Sequence, residues 1–187
     1  MSLRLSLRSA TAALHAELDD LLSSDAFAGV AQYRRFLAAQ AAALVPLEAA
    51  LEAAGIDTLL PDWPARCRRF VLQADLAQLG EVPGAPDAPP QIAADASRWG
   101  YAYVLEGSRL GARLLSRQLE ASGNPALQAA GSFLQHGSGQ PFWQTFLTGL
   151  EQVDEADAPL VHAGAQHAFA LFIAAARHSQ AVQGQTA

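Results

Sequence analysis

Apolar residues recur at helical spacing along almost all of this 187-residue chain. The segment that breaks the pattern most clearly is 81–91, which holds four prolines and a glycine. Leu7, Leu14, Leu18 and Leu21 form one stripe over 6–22, as expected of a helix with one buried face. A second helix is predicted over 30–51, through Tyr33, Phe36 and Leu37, with Pro46 expected to kink or split it. A third is predicted over 64–80, opened by Pro64 and stopped by Gly80. Beyond the proline-rich loop, 92–121 reads as one long helix ended by Gly123-Asn124-Pro125. A short helix over 125–135, another from Pro141 through Leu150 and a last one from about 157 to 179 complete the pattern. Alanine and leucine dominate while valine and isoleucine are scarce, so no strand is expected. The chain is predicted to be all-α, a single domain over 1–187 whose length suffices for one full core.

The formal charge is −6, and all twelve basic residues are arginines. Phosphate binding needs a basic face, and only Arg66-Arg68-Arg69 resembles one, so nucleic acid is not expected as a partner. That cluster is read as a solvated helix face. With Cys67 as the single cysteine there is no intrachain disulfide, which fits a reducing compartment. No run of about 18 uninterrupted apolar residues suggests a membrane span, and the start lacks the apolar stretch of a signal peptide. A cytoplasmic protein with no membrane partner is therefore expected.

Two features carry chemistry. His15 stands seven residues after Arg8 and four before Asp19, and both steps return to nearly the same helix face, so a cation, an imidazole and a carboxylate share one row. Asp19 is placed to hold one ring nitrogen of His15, as acceptors commonly do for ligating histidines. An ordinary surface pair is the plain alternative. Gly107 and Gly111 lie one turn apart inside the long helix, where each costs about 1 kcal/mol relative to alanine. They either let two helices pack closely or bare the backbone to a flat ligand. An imidazole on one side and a bare helix on the other describe a slot for haem, with His15 as iron ligand.

The stretch Tyr101-Ala102-Tyr103-Val104-Leu105-Glu106-Gly107-Ser108-Arg109-Leu110-Gly111-Ala112 resembles the distal-helix motif of bacterial haem oxygenases. Leu7 to His15 resembles their proximal-helix motif, and Pro141 to Leu147 and the chain length are similar to the same family. The resemblance implies haem held between a proximal N-terminal helix and a kinked distal helix. It makes His15 the iron ligand supported by Asp19, Gly107 and Gly111 the distal wall, and Arg8 and Tyr103 the residues that meet the propionates. An arginine suits that task because its fork pairs with a carboxylate bidentately. Two departures stand out: Ser108 where some members have an acid, and Ala112 where many have a further glycine.

On the resemblance, haem b is both cofactor and substrate. It is cleaved with O2 to biliverdin, carbon monoxide and iron, Gly107 and Gly111 steering oxygen to a meso carbon while ordered water supplies the proton, and Ser108, the departure among the catalytic residues, bears on the details of that delivery. No Gly-x-Gly-x-x-Gly follows a strand, so electrons must come from a partner, a reductase or ferredoxin. A bacteriophytochrome is one possible recipient of the biliverdin. Two alternatives remain: a non-catalytic haem carrier or sensor on the same fold, and a thiaminase-type enzyme using Cys67 as nucleophile. No Glu-x-x-His, His-Glu-x-x-His or Cys-x-x-Cys pattern suggests a di-iron or zinc site.

Overall fold

Helical spacing in the sequence becomes helix in the computed structural model, which describes residues 2–22, 26–81, 88–92 and 94–184. Among these, α1 is Leu3–Leu22, α2 Val30–Ala53, α3 Trp63–Arg66, α4 Arg69–Gln78 and α5 Ser97–Ala121. They are followed by α6 Pro125–Ala129, α7 Ser132–Gln135, α8 Phe142–Leu150 and α9 Ala158–Gly184, with no strand among the described residues. Residues 23–25, between the first two predicted helices, and much of the proline-rich loop lie outside the described residues.

α9 is the spine. It packs against α1, α2 and α5, while α4 lies on α2, and α7 and α8 lie on α5. Its neighbours on α1 ascend with it: Ser6 bonds His162, Gln166 donates to Ala10 O, the His15 ring lies by Phe169, and Gln180 donates to Leu21 O. The two helices therefore run parallel, side by side. The crossing of α5 over α9 is closer still. A Cβ on Gly100 would land on the Val161 carbonyl and 2.6 Å from the Ala165 nitrogen, and one on Gly164 would land on the Ser97 carbonyl. Only glycine permits that approach.

Four expectations need correction. Of the two outcomes expected at Pro46, the split does not occur, since α2 continues through it; the carbonyl freed by its missing N–H belongs to Ala42, an exposed residue. The helix predicted over 64–80 breaks at Cys67 and Arg68 because Glu48 of α2 takes the N–H groups there. Its carboxylate accepts from Arg68 N at 3.0 Å and Arg69 N at 3.0 Å, capping α4 from outside. The long helix begins at Ser97 rather than 92, with the Ser97 hydroxyl turned back onto Ala94 O. The segment 125–135 is two short turns of helix, α6 and α7.

By length and hydropathy, α2 and the segment Glu155–Val182 would each suffice to cross a bilayer. In the fold their apolar faces lie against one another and against α1, α4 and α5.

Candidate functional site

The row predicted on α1 forms. His15 and Asp19 are exposed, and His15 Nδ1 stands 2.9 Å from Asp19 Oδ2. With the ring proton donated to that carboxylate, Nε2 presents its lone pair outward, the tautomer a metal-binding imidazole needs. The ring rests beside Phe169 of α9, centroids 5.8 Å apart, so its orientation is fixed from two sides. Arg8 lies exposed two turns earlier on the same helix.

α5 presents the second wall. A Cβ on Gly111 would meet nothing within 4 Å, and one on Gly107 would meet only the rim of Trp143 at 3.8 Å. Neither glycine is demanded by helix packing, which disposes of the closer-packing alternative for this pair. Beside them Leu110 and Leu114 are 44% and 59% exposed, an uncovered apolar stripe on the same face. α1 and α5 both pack on α9 and only sparsely on each other. At one end the two helices are linked by charge, since Arg4 and Arg8 both act on the half-buried Tyr103 phenol. Burial raises the Tyr103 pKa, and the two guanidiniums pull it back down. Arg4 was not singled out from the sequence, although it stands one turn before Arg8 on that face.

Ser108 and Ala112 behave differently from the glycines they flank. Ala112 is 7% exposed and belongs to the core, so its methyl is turned away from the open face. The Ser108 hydroxyl donates to Leu105 O at 2.7 Å and accepts from Arg68 Nη2 at 2.7 Å. Its one proton is held by its own helix.

Behind α5 lies a buried polar cluster that sequence reasoning missed. The expectation of a solvated face at Arg66-Arg68-Arg69 is overturned: Arg66 is 1% and Arg68 2% exposed. Arg66 makes a bidentate pair with Asp62 and donates to Glu106 Oε2 at 2.9 Å, to Phe142 O and to Thr145. Arg109 donates to the same Glu106 oxygen at 3.1 Å, to Arg66 O and toward His136 Nδ1. Burial and the charge of Arg109 bring the Arg68 guanidinium down to about 10, and burial with Arg109 and Arg68 pushes His136 down to about 4. His136 is therefore neutral at pH 7 and accepts from Arg109. The only sequence signal was the cluster itself, set between Trp63 and Phe70 in an apolar context.

Cys67 is excluded as a nucleophile. It is buried, its thiol donates to Glu48 Oε2 at 2.9 Å, and burial together with that carboxylate pushes its pKa up to about 12. A reactive thiol needs the opposite environment, so the thiaminase-type alternative falls. His162 and His167, five residues apart on α9, point to different helices: one bonds Ser6 of α1, the other Tyr101 of α5.

The structure is similar to that of the heme oxygenase from Neisseria meningitidis solved in NO- and CO-bound forms. The TM-score is 0.81 over 96% of this chain and 92% of that one, at 23% identity. A curated "Heme oxygenase" of Xanthomonas campestris pv. campestris (strain 8004) is 37% identical over 113 residues, 59% of this chain and 67% of the relative. The "Heme oxygenase" family model matches residues 1–178, and with an imidazole-bearing α1 and a bare-backed α5 set on one spine, the chain belongs to the haem oxygenase family.

Proposed function

We infer that the protein binds haem b as its substrate and opens the ring with O2 to biliverdin, carbon monoxide and iron. The observation that carries this reading is the pairing of an outward His15 Nε2 with a glycine face on α5 that no side chain covers. His15 would hold the iron and Asp19 would fix its tautomer. Arg8 and Arg4, with Tyr103, would hold the propionates. Gly107 and Gly111 would let the α5 backbone approach the face of the haem, and Leu110 and Leu114 would cover apolar edge. Haem supplies the oxygen-binding chemistry; the protein orients it and limits water. Ser108, tied to Arg68, fixes the Leu105 carbonyl and the start of the glycine face rather than donating a proton. Electrons would come from a reductase or ferredoxin, and the single cysteine fits a reducing, cytoplasmic setting.

The test is a haem titration followed by reductant under air. A one-to-one complex with a histidine-ligated spectrum, whose Soret band gives way to biliverdin absorption, is expected. His15→Ala should abolish that conversion while the helical content stays, because the side chain is 65% exposed. A stable complex that never degrades would favour the carrier reading, and failure to bind haem would overturn both.

A further inference from the structure

A column of aromatic rings runs between α5 and α8, from the glycine face toward the start of α5. The rim of Trp143 stands 3.8 Å from where a Gly107 Cβ would be. Its ring lies nearly parallel to Phe146, centroids 5.7 Å apart at 21°, and Phe146 meets Trp99 at 5.7 Å. Phe146 is fully buried and both indoles are half-buried. Trp99 opens onto a surface hollow of about 310 Å³ that it shares with Asp95, Asp154 and Asp157. Tyr103 touches the same Trp143 ring, centroids 5.7 Å apart. Packing alone does not require two indoles, the most readily oxidised side chains besides tyrosine and cysteine, to be bridged by one phenyl ring between a haem slot and solvent.

We propose that Trp143, Phe146 and Trp99 form an electron path from the surface hollow to the haem slot, used when a hydroperoxide reaches the bound haem. The proposal rests on the haem-oxygenase reading. Haem bound there would supply the reduction of the hydroperoxide to an alcohol and water, a change that consumes two protons and two electrons. Trp143 returns one electron to the haem and is left a radical cation; Trp99 refills it through Phe146. The oxidised Trp99, facing three carboxylates of which one, Asp95, is paired with the Arg98 guanidinium on the same hollow, is reduced there by a one-electron donor of the ascorbate class. A second electron follows the same route, so two donors and two protons balance each hydroperoxide. The oxidising equivalents thus leave by the hollow instead of attacking the slot.

The haem complex, its binding first measured by titration, is treated with cumene hydroperoxide without donor and its indoles are mapped by mass spectrometry. Oxygen addition is expected at Trp99 and Trp143, severalfold above Trp63, which is 3% exposed, bonds Glu52 and stands apart from the column. Ascorbate should suppress it. Trp143→Phe should lower oxidation at Trp99 severalfold, and Trp99→Phe should raise it at Trp143 while leaving reductant-driven biliverdin formation unchanged. Equal oxidation of all three indoles in a complex that binds haem, or oxidation at Trp143 indifferent to Trp99→Phe, would overturn the path alone. Absence of haem binding would overturn the reading beneath it as well.

Discussion

Two pairs of glycines on neighbouring stretches of helix do opposite work. Gly100 and Gly164 sit where α5 crosses α9, and a Cβ on either would land on the partner helix's backbone. Gly107 and Gly111, two to three turns further along α5, face open space or the edge of one indole. The first pair is needed for the fold and the second costs it stability. A helix that tolerates two uncompensated glycines at about 1 kcal/mol each keeps them for something outside the apoprotein. The difference lies in what each absent side chain would strike, and nothing local separates the two pairs.

That contrast can be broken by substitution. Gly164→Ala or Gly100→Ala should cost at least about 3 kcal/mol, because backbone cannot yield as a side chain tip does. A chemical melt of either variant within 1 kcal/mol of wild type, to take a rough threshold from the helix scale, would end the comparison. Gly111→Leu should instead raise the haem-free protein's stability by something approaching 1 kcal/mol, while haem turnover fails. A destabilised apoprotein with normal turnover would put Gly111 in the packing class. Ala112→Gly, directly beside it, should cost about 0.5–1 kcal/mol and leave turnover alone, since that methyl points into the core.

The rear of the same wall responds to pH. His136 has a pKa of about 4 in the folded protein against an ordinary value of 6.5, so between those limits the unfolded chain takes up a proton that the folded one refuses. Its contribution is fully present above pH 6.5 and is lost as pH falls toward 4. Subtracting the pH–stability curve of His136→Gln from that of wild type should isolate this slope. A flat difference across that window would remove His136 from the cluster behind α5.

What the sequence revealed follows how local each cause is. The His15–Asp19 pair needs only helical geometry over four residues, and it stands as expected. The amphipathic stripes of α1 and α5 are likewise properties of one segment. Arg66 was misjudged because its partners are remote: Glu106 is 40 residues away and Thr145 is 79. The break at Cys67 was hidden for the same reason, since the carboxylate that makes it comes from Glu48, 20 residues before Arg68. Gly100 and Gly164 raised no signal at all, each being unremarkable until the two helices cross. The departures at Ser108 and Ala112 were visible as letters, yet the direction each side chain faces came only from the neighbours that α5 acquires.

The parallel embrace of α1 by α9 also sets a schedule. Ser6 finds His162 at a sequence separation of 156, and a ribosome extending at about 5–20 residues per second needs on the order of ten to thirty seconds to cover that stretch. Throughout that interval the nascent imidazole-bearing helix has no spine to lie on. Its apolar stripe stays uncovered until α9 arrives. Haem captured before α9 is made would meet two walls not yet held on one spine, so loading belongs after α1 and α5 have both met α9.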